Sequence, residues 1–284
     1  MKRMAIIVLL MAAILAACAN NTQNIDHSGM DNGSEQDEEH GGHGIEHGGD
    51  STIKPEEVNV VWTFAEETPK SGMEIILNIQ VQDNDHKPIE YFDISHEKKL
   101  HLIVVSKDFS YFHHIHPEYI DEGLFEIKTQ FPSGGAYKLF ADFIPTGGEA
   151  MTKSKWIEVE GNRAPSKAFE PDSNLTKSVG GKEVTLSIDQ LQAGKEVILN
   201  FTIKDDKTKE PINNLEQYLG AVGHVVILTE DAEQYLHVHP MEEKATGPDA
   251  KFATTFPQSG IYKIWGQFQH KGQVFTIPFV VKIP

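Results

Sequence analysis

Cysteine is almost absent: Cys18 is the only one in 284 residues. A single cysteine cannot build a disulfide framework, and one so close to the N-terminus has no folded surroundings in which to act as a catalytic thiol. Positive charge is scarce as well. Lys and Arg total 25 against 42 Asp and Glu, a formal net charge of −17. That balance argues against nucleic acid or an anionic lipid surface as a partner and is compatible with binding cations. After the first residues there is no second apolar run of about 18 or more, so no transmembrane helix is expected. Helix-period patterning over about ten or more residues is also missing. No Gly-x-Ser-x-Gly, phosphate loop or cysteine nucleophile occurs, and the expectation is a protein that is not an enzyme.

What is present begins with an export signal. Lys2 and Arg3 supply a positive start, and Met4 to Ile14 are all apolar. The stretch ends in small residues, the pattern of a secretory signal peptide and too short for a stable span. Leu15, Ala16, Ala17 and Cys18 resemble the bacterial lipobox, which implies that residues 1–17 are removed and that Cys18 carries a lipid anchor. The expected location is the extracytoplasmic side of the cell membrane, with the membrane itself as a partner. Removal of the signal leaves 267 residues with a charge of about −19, enough for two domains of ordinary size. Residues 18–57 are rich in Asn, Gly, Asp, Glu and His and are expected to form a disordered tether. Within it His40, His43 and His47 lie among Gly and Glu, a composition that binds divalent transition metals weakly.

From Val58 onward the texture is that of strands. Val58–Phe64, Glu74–Val81, His101–Ser106, Tyr111–His116, Leu124–Phe131, Ala136–Phe143 and Lys155–Val159 are short β-branched and aromatic runs separated by turn residues. This spacing suggests an all-β sandwich. The pattern then recurs. Gly194–Asn200 echoes Gly72–Asn78 at an offset of 122, His224 echoes His101 at 123, and Phe256–Lys263 echoes Phe131–Lys138 at 125. An internal duplication follows, with one domain over 58–160, a linker over 161–178 and a second domain over 179–284.

Three histidines survive in both copies: His101, His114 and His116, matched by His224, His237 and His239. If 101–106 and 111–116 form a hairpin, His101 lies opposite His116, and His114 lies opposite Ile103. Alternation then puts all three histidines on one face. Directly opposite Cβ atoms are roughly 4.5–5.5 Å apart, so three imidazoles can meet on one ion. The same register in the second copy gives a second triad. His113 points to the other face and has Leu236 as its counterpart, so it stays outside the site. The shared Phe-Pro-x-x-Gly-x-Tyr-Lys block reads as structural, with Gly135 and Gly260 in turns and Tyr137 and Phe143 facing the core.

The run His101–Asp108, with His114–Pro117 and then Phe131–Phe143, resembles small extracytoplasmic immunoglobulin-like domains of bacterial copper handling, of the YtkA-like and copper-resistance kind. The resemblance implies two tandem immunoglobulin-like β-sandwich domains and a role in copper or related metal handling. Those copper carriers use a histidine at the mature N-terminus, where this chain has Cys18, and no Met-rich segment suited to Cu(I) is present. The expectation is a divalent metal, copper first and zinc second, held by one triad per repeat in a chaperone, buffer or resistance factor. A membrane metal transporter or sensor would be its protein partner. The competing expectation is an immunoglobulin-like interaction module at the cell surface that binds no metal.

Overall fold

The computed structural model describes residues 53–65, 68–165 and 169–284. The signal peptide, Cys18, His40, His43 and His47 lie outside the described residues. Within them there is no α-helix, only a single 3₁₀ turn, Pro55–Glu57, before the first strand.

The first repeat comprises β1 (Val58–Phe64), β2 (Glu74–Asp83), β3 (Phe92–Asp93), β4 (Leu100–Ser106), β5 (Phe112–Ile115), β6 (Glu118–Asp121), β7 (Leu124–Gln130), β8 (Gly135–Pro145) and β9 (Met151–Val159). The second comprises β10 (Thr176–Val179), β11 (Lys182–Ile188), β12 (Glu196–Asp205), β13 (His224–Thr229), β14 (Tyr235–Leu236), β15 (His239–Pro240), β16 (Asp249–Thr255), β17 (Gly260–His270) and β18 (Gln273–Ile283). Each repeat is a sandwich of two antiparallel sheets. In the first, β1-β2-β7-β6 faces β3-β8-β4-β5, with β9 also paired to β8. In the second, β10-β11-β12-β16-β15 faces β14-β13-β17-β18. The fold is all-β, two tandem immunoglobulin-like sandwiches.

Alternation along the strands builds each core. Ile75, Leu77, Ile79 and Val81 of β2 point inward, as do Val197, Leu199, Phe201 and Ile203 of β12. Each such side chain, fully buried, contributes roughly 1.5–3 kcal/mol. Tyr137, Leu139, Ala141 and Phe143 of β8 join the first core; Tyr262, Ile264 and Phe268 of β17 join the second. Gly135, at φ 125°, starts β8 in a conformation that a side chain would strain.

The strand β4 departs from alternation, since all seven of its residues are buried. Its second face, and that of β8, packs against the equivalent face of the other repeat. Ile103, Val105, Phe109 and Phe140 form a third core with Val226, Leu228, Ala232 and Trp265. The two sandwiches are thus joined by a largely apolar seam. Its contacts come in duplicated pairs. Phe112 stacks on Trp265 at 4.6 Å, and their counterparts Tyr235 and Phe140 lie 5.9 Å apart. Exchanging the two repeats maps each pair onto the other, so the seam has the self-complementary character of a two-fold interface. The segment between the repeats takes part: Phe169 packs on Phe109 at 5.0 Å, and β10 begins at Thr176.

Candidate metal centre at the seam between the repeats

The hairpin β4–β5 has the expected register, with Ile103 opposite His114 and Leu102 opposite Ile115. His101 is 2 % exposed and His114 is 7 % exposed. One ring nitrogen from each of His101, His114 and His116 lies within 4.8 Å of the others. Ring centroids are 5.2 Å apart for His101 and His114, 5.0 Å for His101 and His116, and 4.7 Å for His114 and His116. His113 stands apart, its Nδ1 3.1 Å from the Tyr111 hydroxyl.

Hydrogen bonds hold the rings of the triad in place. His101 Nε2 donates to the Ser95 carbonyl oxygen at 2.9 Å. His114 Nδ1 is 2.7 Å from Gln267 Oε1 across the seam, and the other end of that amide is 3.2 Å from Thr276 Oγ1. Between the rings, His101 Nδ1 and His114 Nε2 share a hydrogen bond at 3.0 Å. His116 Nε2 is buried and has no hydrogen-bond partner. Three imidazoles thus converge on one point, one of them with an unpartnered inward nitrogen.

Burial favours the neutral form of these rings. Burial, then the neighbouring His101 and His116, holds His114 well below the ordinary histidine value. Burial first, then His101 and Lys98, brings His116 down to about 4. Burial also lowers His101, against the opposing pull of its Ser95 bond. The nearby carboxylate is Asp142, directly opposite His101 on β8. Burial raises it, while His237, the Thr152 hydroxyl and His101 act the other way.

The second triad does not assemble. His224 stays on β13, opposite Gln267. The hairpin partner β14 ends at Leu236, and the chain crosses to the other sheet at β15, where His239 pairs with Ala253. In the first repeat the crossing comes later, because β5 runs to Ile115 and β6 starts only at Glu118. His237 and His239 have therefore left the strand that would have lined them up with His224; the backbone carbonyl of His237 accepts from Thr254 Oγ1 instead. Among the described residues, His101, His114 and His116 are the one group of three with metal-ligand spacing.

His224 meets the first triad instead. Its ring stacks on His101 at 5.4 Å and lies 4.7 Å from His114. His96, which the sequence reading passed over, is 5.1 Å from His224 and 6.2 Å from His101. It sits in a two-residue turn closed by Ser95 and Lys98, with His96 at φ 46° and Glu97 at φ 65°. Non-glycine residues in that left-handed region are strained, and the turn they form aims the Ser95 carbonyl at His101. Nothing in the spacing of His96 marked it, because no histidine occupies the matching turn at Leu219 and Gly220.

A family model described as a domain of unknown function, DUF8832, matches residues 54–161 and again 177–284. The chain belongs to this family. It carries two DUF8832 repeats, each spanning one sandwich. No curated protein matches the chain. Among solved structures it is similar to FdeC, an Escherichia coli adhesin, at 15% identity and a TM-score of 0.27, over 80% of this chain and 64% of that one. It is similar to the Yersinia pseudotuberculosis adhesin InvE at 10% identity and a TM-score of 0.25, over 80% and 60%. A two-domain fibronectin type-III segment of chicken tenascin matches at 12% identity and a TM-score of 0.22, over 78% and 97%. The chain spans less than two thirds of the length of these two adhesins. No helix among the described residues is long and apolar enough to cross a membrane.

Proposed function

We propose that this tandem DUF8832 protein binds one divalent transition metal ion through His101, His114 and His116, with copper first and zinc second. It would act as an extracytoplasmic chaperone, buffer or resistance factor. The observation that carries this reading is the convergence of three imidazoles, one nitrogen of each within 4.8 Å of the others, with His116 Nε2 buried and unpartnered. Ser95 and Gln267 hold the outer nitrogens of His101 and His114. Metal-bound histidines are anchored in this way, each donating its second N–H to an oxygen that fixes the ring. Imidazole nitrogen suits copper and zinc, and three such ligands leave a fourth position open. The half-buried Asp142 beside the site would offset part of the ion's charge.

The resemblance of the His101–Asp108 and His114–Pro117 segments to copper-handling domains supports the choice of metal. The lipobox-like Leu15–Cys18 supports a lipid anchor on the outer side of a membrane, where a membrane transporter or sensor would exchange the ion. The test is a Cu(II) and Zn(II) titration of the full chain with His27, His40, His43 and His47 replaced by alanine, so that the N-terminal histidines contribute nothing. One tight equivalent is expected, weakened at least 100-fold by His114→Ala. Equal binding with His101, His114 and His116 all replaced would discard the metal and leave an immunoglobulin-like interaction module.

A further inference from the structure

The triad offers three nitrogens, and a histidine of the second repeat stands against two of its rings. We propose that His224 supplies the fourth ligand, so that a single ion joins the two sandwiches across their seam; this rests on the metal reading of the triad. The spacing supports it. A metal–nitrogen bond of about 2.0–2.1 Å and a tetrahedral angle put neighbouring imidazole centroids about 5 Å apart. Within the triad the centroids are 4.7 to 5.2 Å apart. From His224 the distances to His101 and His114 are 5.4 and 4.7 Å, so its ring matches this spacing toward two of the three ligands. The ring of His224 also lies 5.1 Å from that of His96.

The duplication explains how one repeat comes to complete the other's site. His224 is the counterpart of His101, and the two-fold relation of the seam brings the counterparts together. The second repeat keeps this histidine at the seam, while its early crossing takes His237 and His239 out of line with it. The two copies of one ancestral pattern have thus divided the work. The first provides three nitrogens, and the second provides one nitrogen together with Gln267, which orients His114. An ion bound this way holds the repeats together, so its affinity and the stability of the seam are coupled.

The experiment uses Cu(II) alone, added to the full chain with the four N-terminal histidines replaced, and reads two signals. Electron paramagnetic resonance counts the nitrogens coupled to copper, and hydrogen exchange reports protection of 224–229 on metal addition. The wild-type seam is expected to give four nitrogens and added protection in β13. His224→Ala is expected to keep one bound ion with three nitrogens, to weaken it at least tenfold, and to abolish the added protection. Three nitrogens in the wild-type protein, or the same count and affinity in His224→Ala, would overturn the bridge while leaving the triad intact. Copper bound with no change on His114→Ala would instead overturn the triad reading on which the bridge rests. Should His224→Ala fail to fold, His224→Gln takes its place, and the wild-type nitrogen count decides independently of either variant.

Discussion

At the scale of single residues, Gln267 does the most for its size. It is 5% exposed, accepts from His114 Nδ1 with one end and donates to Thr276 with the other. Its counterpart in the first repeat is Asp142, on the far side of the seam. A neutral amide here holds the His114 ring without adding charge, while a carboxylate in the matching place lies near His237 and His101. Gln267→Leu keeps the volume and removes the acceptor, so His114 loses the bond that aims it. Outer partners of this type are worth about 10–100-fold in metal affinity. The expected result is a loss of that size in Cu(II) affinity by competition titration, with the ligand histidines all still present; undiminished affinity would show that the Gln267 bond has no part in the site.

At the scale of elements, the turn between β4 and β5 is built twice by the same bonds. Ser106 Oγ and Ser110 N donate to Asp108 Oδ1, and Tyr111 N donates back to Ser106 Oγ. In the second repeat Thr229 Oγ1 and Glu233 N donate to Asp231 Oδ1, and Gln234 N donates to Thr229 Oγ1. Each turn ends in a left-handed residue, Phe109 at φ 53° and Ala232 at φ 58°, whose side chain enters the seam. Asp108→Ala removes the acceptor for Ser106 Oγ, Ser110 N and Ser110 Oγ and is expected to lower stability by about 1–2 kcal/mol. Glu233 stands where Ser110 would add its hydroxyl, so Asp231→Ala should cost somewhat less, by urea unfolding.

The strands of this hairpin were legible because apolar alternation and turn residues both pointed to them, and so the first triad was legible too. The matching turn aspartates could have been read from the same alignment of the copies. The failure of the second triad could not. Register follows from the hairpin only while the strand stays paired, and the crossing at His239 depends on which sheet offers the better edge. The seam left one trace in the sequence. The run from Leu100 to Val105 is nearly continuous in apolar residues, as strands buried on both faces are. Reading it as half-buried hid the second repeat from view.

At the scale of the whole molecule, the seam brings together many histidines with little to neutralise them, and this sets how the metal-free protein responds to acid. His96, His101, His114, His116 and His224 are all lowered, with burial the first cause in each case. His116 is brought from the ordinary 6.5 to about 4. A histidine depressed in the fold stays neutral there while the unfolded chain takes up a proton. Between the two values the unfolded state binds more protons, so stability rises with pH and is lost as pH falls from about 6.5 toward 4. Asp142 acts with the opposite sign. Burial raises its pKa, so above the ordinary 3.8 the folded state holds a proton that the unfolded chain has released, and its contribution falls as pH rises. Lys98 adds positive charge beside His101 and His116 and reinforces the histidine effect. Five depressed histidines outweigh one raised carboxylate. The urea midpoint of the metal-free full chain is therefore expected to fall steadily from pH 6.5 to 4.5, with Trp265 fluorescence reporting the opening of the seam. Replacing His114 and His224 together by leucine should flatten that slope, since neither position can then take up a proton. An equally steep slope in the double variant would mean that the acid sensitivity arises outside the seam, and that the buried histidines there do not charge when the chain unfolds.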